Sequence, residues 1–184
     1  MILGLDVSTS TTGYCLLNNQ GDLIDIGYIK LASKKSLSQK GFLFKEQIEN
    51  IIGDREITAV YIEEAFQRYG RGMSSAKTIT RLASFNGIIQ YITADIFGCE
   101  PILLPVRECR KLCGIATVSK KKSGKEVKEQ VFEWVDNHLE YKWPTKVLQS
   151  GPRRGTQIIV PESRDMADAW VVAKAGFIKY EFNV

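Results

Sequence analysis

Short apolar runs separated by turn residues open the chain and predict three consecutive strands. The turn Asn18-Asn19-Gln20-Gly21 has the composition of a hairpin connection, so we expect these strands to pair antiparallel. A later run, residues 58–62, is apolar after its first residue, as expected in the centre of a sheet. The predicted strands cover residues 2–7, 12–17, 23–31, 58–62 and 102–104.

Between and after the later strands, apolar residues recur at helical spacing. Residues 38–52 show this repeat and end at Gly53, and Gly98 is placed to end a second helix. Ser163 is the predicted N-cap of the last helix. The predicted helices cover residues 38–52, 75–97, 106–112, 126–139 and 163–178. This order of elements predicts an α/β fold, in which a mixed sheet carries helices on both faces.

A segment with three prolines and two glycines interrupts the alternation at about residues 141–161. We expect an irregular or hairpin insertion there. Neither a repeat nor a linker divides the sequence, and 184 residues with a hydrophobic fraction of 44% suffice for one ordinary core. The prediction is therefore a single domain over residues 1–184.

Charge and composition narrow the classes of partner. The net charge of +4 allows a polyanionic partner without requiring one. No apolar stretch approaches the length of a membrane span, and Asp6 interrupts the first apolar run too early for a signal peptide. The four cysteines include no CxxC pair and His138 is the single histidine, so a zinc site of ordinary ligand spacing is excluded. We expect a cytoplasmic protein with no membrane partner.

Four acidic residues are the strongest candidates for chemistry. Asp6 and Glu63 each close an apolar strand, and Asp165 and Asp168 stand one helical turn apart where the last helix begins. Carboxylates at the ends of buried strands are costly to desolvate and repel one another unless a cation lies between them. Pairs of divalent cations held by oxygen ligands solve this problem, and such pairs drive phosphoryl transfer. The pattern predicts a metal-dependent nuclease.

Each acidic residue also has a simpler interpretation. Asp6 precedes a run of serines and threonines, so it can form a turn by accepting bonds from neighbouring amides. Glu63 and Glu64 project to opposite faces of a strand, so only one of them can reach a shared site. Asp165 and Asp168 suit the positive end of a helix dipole, although this explains Asp165 better than the deeper Asp168.

The order of these residues resembles a known family. Asp6 with Thr12-Gly13-Tyr14, then Ile62-Glu63-Glu64-Ala65-Phe66, then Asp165 and Asp168 follow one another as in the RuvC-type Holliday junction resolvases. The resemblance extends over most of the chain. It implies an RNase H-like fold, whose five-stranded sheet begins with three antiparallel strands, and it selects the first glutamate of the pair for the site.

For the chemistry, the resemblance implies two Mg²⁺ ions about 4 Å apart, for which Mn²⁺ would substitute. Asp6 would contact both ions, Glu63 would flank one, and Asp165 and Asp168 would complete the shells. It also implies paired nicks in opposed strands of four-way and other branched DNA, leaving 5′-phosphate and 3′-hydroxyl ends. A homodimer formed through helix 75–97 would supply two symmetric sites, and no nucleotide cofactor is expected.

Basic residues supply the expected DNA contacts. A lysine run is often only a solvated surface, but this one lies where the family places basic residues around the scissile phosphate, and Lys125 is the expected catalytic lysine. Phe66 either packs in the core or stacks on an unpaired base. The expected DNA-binding residues are Phe66, Arg68, Arg71, Arg107, Arg110, Lys111, Lys120, Lys121, Lys122, Lys125, Lys128, Arg153 and Arg154.

Two features depart from bacterial members of the family. Val7 and Ser8 follow Asp6 where many members carry Pro-Gly, and the segment 141–161 is longer than expected. Both features resemble phage- or virus-encoded relatives. They imply a location in the host cytoplasm and a range of substrates wider than four-way junctions.

Three other functions fit parts of the sequence. The segment from Asp6 to Gly13 also resembles the phosphate-binding hairpin of actin-like ATPases, although a second phosphate motif is missing. A non-catalytic junction-binding protein would keep the fold and the basic surface, but it would gain nothing from four carboxylates. RNA-processing nucleases of the same fold are the third alternative.

Overall fold

A computed structural model describes residues 1–65 and 76–181 of the chain. The strands are β1 (Ile2–Asp6), β2 (Thr11–Leu17), β3 (Leu23–Lys30), β4 (Ala59–Glu63), β5 (Ile102–Leu104), β6 (Thr145–Val147) and β7 (Gln157–Ile159). The helices are α1 (Leu37–Ile52), α2 (Ala76–Phe97), α3 (Val106–Leu112), α4 (Lys120–Ser123), α5 (Val127–His138) and α6 (Ser163–Gly176). A π-helical turn, Phe177–Glu181, continues α6.

The first five strands form one mixed sheet in the order β3-β2-β1-β4-β5. The pairs β1–β2 and β2–β3 are antiparallel, whereas β1–β4 and β4–β5 are parallel. The predicted hairpin turn forms between β2 and β3, where the side-chain oxygen of Asn18 accepts bonds from the amides of Gln20 and Asp22. The predicted fold is confirmed, with three antiparallel strands followed by parallel ones.

Alternation along the strands divides the core between the two faces of the sheet. On β1, Leu3 and Leu5 pack with residues of α1 and α2, whereas Ile2 packs with residues of α3, α5 and α6. A strand that is apolar on both sides must be covered on both sides, which explains the two helical layers. Because side chains alternate along a strand, Ile2, Gly4 and Asp6 face the helical layer formed by α3, α5 and α6.

Helix α6 lies unusually close to the sheet because glycines remove side chains from the contact. A Cβ atom at Gly13 would lie 2.0 Å from the carbonyl oxygen of Asp165, and one at Gly4 would lie 2.5 Å from Cβ of Ala173. Gly13 pairs with Asp6 in the antiparallel register of β1 and β2. The first turn of α6 is therefore held beside the carboxyl end of β1.

The predicted N-cap of α6 is wrong. Glu162 occupies the cap position without a side-chain capping bond, and Ser163 is already inside the helix, where its amide donates to the carbonyl of Val160. The chain begins to turn before Ser163, so this side chain points into the protein. Its hydroxyl is buried and has no hydrogen-bond partner among the residues that the structure describes.

Two segments in the second half complete the description. The predicted insertion contains an antiparallel hairpin of β6 and β7. The lysine run contains the short helix α4, which the sequence did not predict and which ends at Gly124 with a left-handed φ of 74°. Within residues 1–65 and 76–181, no helix has the length and apolar character needed to cross a membrane.

Candidate functional site

The ends of two parallel strands bring Asp6 and Glu63 together. Leu5 aligns with Ile62 across β1 and β4, so the residues that follow them are neighbours on the face that α6 covers. Asp6 is only 8% exposed, and Glu63 is partly buried. Glu64 is exposed, as expected for the opposite face of the strand. The structure thus brings Glu63, and not Glu64, to Asp6.

The first two turns of α6 add two more carboxylates to the same place. Asp165 is partly buried and Asp168 is 5% exposed. The close contact between Gly13 and the backbone of α6 sets these turns against β2 beside Asp6. A stabilising interaction with the helix dipole needs no burial, so it does not account for Asp168.

One ammonium group lies among these carboxylates. The Nζ atom of Lys128 lies 2.7 Å from Oδ1 of Asp165, 3.3 Å from Oδ2 of Asp6 and 3.2 Å from Oδ2 of Asp168. Lys128 is the second residue of α5, and it shares a face of that helix with Val131, which is buried in the core beneath α6. The packing of α5 on α6 therefore aims this side chain at the site.

Burial makes ionisation of the carboxylates costly. Desolvation raises the pKa of Asp6 to about 7, against the opposing effect of Lys128. Desolvation, reinforced by the charges of Asp6 and Asp168, raises the pKa of Glu63 to about 8, and burial also raises the pKa of Asp168. Burial disfavours the charged form of Lys128, but the carboxylates around it prevail and raise its pKa. These groups form one electrostatic unit, in which the single ammonium of Lys128 does not balance the negative charge of the carboxylates.

The donor set suits a hard divalent cation. All four acidic side chains offer oxygen ligands, which Mg²⁺ and Mn²⁺ prefer. Three of them already place an oxygen within 3.3 Å of a common cation, the Lys128 ammonium. Among the described residues, no three acidic, histidine or cysteine side chains are already arranged as a metal site. These residues supply the donor types that a divalent cation needs, and binding of an ion would require the carboxylates to turn from the ammonium toward it.

A known protein is similar to this chain in sequence. No protein-family model matches the chain. A crossover junction endodeoxyribonuclease RuvC of Sulfurovum sp. (strain NBC37-1) is 27% identical over 150 residues, which are 80% of this chain and 86% of that protein. The chain is therefore similar in sequence to a RuvC over most of its length.

Solved structures show that the RuvC likeness extends to the fold. Thermus thermophilus RuvC in complex with a Holliday junction substrate superposes with a TM-score of 0.60 at 13% identity, over 96% of this chain and 92% of that one. The yeast mitochondrial Holliday junction resolvase Ydc2 gives a TM-score of 0.52 at 18% identity, over 96% and 77% of the two chains. The resemblance stated from the sequence is confirmed, whereas the phage or virus origin stays a prediction.

A basic cavity of about 590 Å³ lies beside the acidic centre. Arg107, Arg110 and Lys111 line it together with residues 114–119. The positive charge of Arg110 acts on Glu63 and Asp168, where it opposes the rise in their pKa. Its Nε atom is buried and has no hydrogen-bond partner among the described residues. This cavity can accept an anion next to the carboxylates.

The structure separates the predicted lysines into different environments. Lys125, the expected catalytic lysine, points away from the carboxylates and lies 2.5 Å from Oε1 of Glu133. Lys128 takes the position among the carboxylates instead. Lys120 pairs with Glu126 at 2.5 Å, and the side chains of Lys121 and Lys122 are exposed.

The remaining predicted contacts lie on the β6–β7 hairpin or outside the described residues. Arg153 and Arg154 are exposed at the tip of the β6–β7 hairpin. Phe66, Arg68 and Arg71 lie outside the described residues, so their predicted roles stay predictions.

The spacing of apolar residues could have identified Lys128. Val131 and Val135 lie three and seven positions after it, and both are buried on the side of α5 that meets α6. A lysine on that face points toward α6, where two of the carboxylates lie. Lys125 precedes the helix and escapes this constraint.

Proposed function

We propose that this chain is a divalent-metal-dependent, structure-selective endonuclease that resolves four-way DNA junctions. The observation that carries the proposal is the convergence of Asp6, Glu63, Asp165 and Asp168 from three distant segments on one partly buried site. Four carboxylates in such a place oppose folding unless cations bind there. Homology to RuvC supports junction resolution as the use of this site.

The four carboxylates would hold the metal, with Mg²⁺ as the expected ion and two ions as the expected number. Divalent cations bound there would activate a water for attack on a phosphodiester and stabilise the leaving oxygen. The contribution of the chain is to fix the ligands: β1 and β4 hold Asp6 and Glu63, and the contact at Gly13 holds the first turns of α6. Burial also excludes bulk water from Asp6.

The DNA backbone would run across the basic surface around this centre. The cavity of Arg107, Arg110 and Lys111 is suited to a phosphate next to the scissile one, because it lies beside Glu63 and offers several donors. The lysines of the run 120–128 and the arginines of the β6–β7 hairpin would extend this contact. Phe66, Arg68 and Arg71, which lie outside the described residues, stay predicted DNA contacts.

Two opposed cuts call for two symmetric centres, so we propose a homodimer. Helices α1 and α2 present a candidate interface. Phe42 on α1 is 75% exposed and Tyr91 on α2 is 73% exposed, which is costly for two large aromatic side chains facing water. A dimer contact over these helices would bury both rings.

One observation favours a second candidate, a non-catalytic junction-binding protein. The Lys128 ammonium already balances part of the carboxylate charge, which a protein without metal would also need. Cleavage distinguishes the two candidates, because a binding protein would leave every strand intact.

The test compares the wild type with Asp6→Asn on a synthetic immobile four-way junction, with matched duplex, flap and RNA substrates. We expect nicks on the junction in Mg²⁺ or Mn²⁺, loss of nicking in the variant or with a chelator, and retained junction binding by the variant. Binding without cleavage in either metal would favour the binding protein. Cleavage of RNA alone would favour an RNA-processing nuclease of the same fold.

A further inference from the structure

The geometry points to an exchange at the acidic centre: the Lys128 ammonium holds the place of a divalent cation in the metal-free protein, and metal binding displaces it. This inference rests on the proposed function, since it concerns the same metal centre. It assigns Lys128 a role before DNA arrives, in addition to the phosphate contact proposed above.

The distances show that the ammonium and a metal ion compete for the same oxygens. Lys128 Nζ lies between 2.7 and 3.3 Å from oxygens of Asp6, Asp165 and Asp168. A Mg²⁺ ion would draw its ligands to about 2.0–2.1 Å. An ammonium left among these oxygens would then lie next to the ion and be repelled by it. The two cations cannot occupy the centre together.

The balance of charge favours the exchange. Four carboxylates meet a single ammonium in the metal-free protein, and the positive charge of Arg110 acts on Glu63 and Asp168. Two divalent cations would neutralise the four carboxylates completely, so the centre would no longer attract the Lys128 ammonium. Without metal, Lys128 neutralises only part of the carboxylate charge.

Space for the displaced side chain lies next to the centre. A cavity of about 470 Å³ borders Lys128 and is lined by Glu126, Val127, Glu129 and Arg164. The Lys128 side chain is 50% exposed, and its four-carbon stem rotates freely. The released ammonium would remain at the mouth of the centre, where a DNA phosphate is its next partner. Metal loading would thus prepare the chain for DNA.

Lys125 provides a matched control. It lies three positions earlier in the sequence, its side chain is also 50% exposed, and its ammonium likewise forms an ion pair. Its partner is Glu133, which is not one of the four carboxylates. Removal of either lysine changes the net charge of the protein equally. A difference in Mn²⁺ affinity between the two variants therefore reflects where each lysine lies relative to the four carboxylates.

The test measures Mn²⁺ affinity without DNA, by the electron paramagnetic resonance signal of free Mn²⁺. We expect Lys128→Met to bind Mn²⁺ about 10-fold tighter than the wild type, and Lys125→Met to bind with nearly wild-type affinity. Equal or weaker binding by Lys128→Met would overturn the inference.

A second measurement follows the wild-type protein, which matters if Lys128→Met does not fold without metal, and its assignment uses a variant that keeps the positive charge. Nitrogen-15 spectra of the lysine ammonium groups follow Lys128 in the wild type, with its signal assigned by Lys128→Arg. We expect saturating Mg²⁺ to shift the Lys128 signal to the position of solvated lysines and to leave the Lys125 signal in place. A Lys128 signal that Mg²⁺ leaves unchanged would contradict the exchange.

The two proposals fail in different ways. Normal junction cleavage by the wild type, with equal Mn²⁺ affinity in the wild type and Lys128→Met, would contradict the exchange and leave the proposed nuclease activity supported. The expected difference in Mn²⁺ affinity, with no cleavage of any branched DNA, would contradict the nuclease activity and leave the exchange supported.

Discussion

The Nζ atom of Lys128 lies 2.7 Å from Oδ1 of Asp165, although 37 positions separate the two residues in the chain. This contact joins α5 to α6 at the point where α6 meets the sheet. The same ammonium reaches Asp6, which is 122 positions away. The acidic centre is therefore a property of the assembled fold, and changes to the packing of α6 are expected to affect it as strongly as changes to the carboxylates.

Glu63 and Glu64 are adjacent in the sequence, but only Glu63 lies next to Asp6, so variants of the two residues test the role of Glu63 in the site. We expect Glu63→Gln to lower the rate of junction cleavage about 100-fold or more, because it removes a carboxylate that we propose as a metal ligand. Glu64→Gln is the matched control and is expected to stay within about threefold of the wild type, since this side chain is exposed. Single-turnover cleavage of a labelled junction measures both. Equal losses would contradict the assignment of Glu63.

The raised pKa of Asp6 predicts how the stability of the metal-free protein depends on pH. Because folding raises this pKa from its ordinary value near 3.8 to about 7, the neutral form favours folding, and this contribution is lost as pH rises through 7. Asparagine cannot ionise. In the presence of a chelator we therefore expect Asp6→Asn to become more stable than the wild type by about 2 kcal/mol at pH 8, with no such advantage at pH 4.

Urea unfolding at a series of pH values measures this difference. Addition of Mg²⁺ at pH 8 provides the control, because the metal should stabilise the wild type and leave Asp6→Asn nearly unchanged. A difference in unfolding free energy that stays constant from pH 4 to pH 8 would show that Asp6 does not titrate as proposed.

A glycine tests the close approach of α6. A Cβ atom at position 13 would meet the Asp165 carbonyl oxygen at 2.0 Å, so Gly13→Ala must push the helix from the sheet. We expect a loss of about 3 kcal/mol in unfolding free energy together with loss of cleavage. Gly87→Ala is the control. A Cβ atom at Gly87 meets nothing within 4 Å, and alanine within a helix is expected to stabilise it by about 0.5–1 kcal/mol. A neutral effect of Gly13→Ala would contradict the account of this contact.

Strand periodicity predicted the strands of the sheet and placed acidic candidates at the ends of two of them. The alternation of side chains places Asp6 and Glu63 on a common face once β1 and β4 are neighbours, and the hairpin residues indicate which strands are antiparallel. The resemblance to RuvC-type resolvases supplied the expectation of a five-stranded sheet that begins with three antiparallel strands. The resulting fold agrees with the structure, including helices on both faces.

Details that depend on packing between helices were harder to predict. Lys125 and Lys128 are both lysines and lie three positions apart. The orientation of α5 on α6 decides which of them contacts the carboxylates. Serine is a common N-cap residue, but a turn that begins at Val160 places Ser163 inside the helix. In both cases the deciding interaction comes from outside the local segment.

The exposed aromatic residues of α1 and α2 test the proposed dimer. We expect Tyr91→Ser to shift the protein from dimer toward monomer at micromolar concentration, because the variant loses a large apolar side chain from the interface. Ile24→Ser, a change of another exposed apolar residue on β3, is the control and should leave the mass unchanged. Light scattering after size exclusion measures both. A wild-type protein that is monomeric at all concentrations would contradict the proposal.

The most direct test of the central claim is the mapping of cuts on a four-way junction whose four strands carry different labels, in Mg²⁺ and with a chelator. The account predicts nicks at symmetric positions on two opposed strands, each with a 5′-phosphate and a 3′-hydroxyl, and no cut when Mg²⁺ is chelated. Cleavage that persists in the chelator, cuts scattered over all four strands, or an uncut junction bound by the wild-type protein in Mg²⁺ and Mn²⁺ would contradict it.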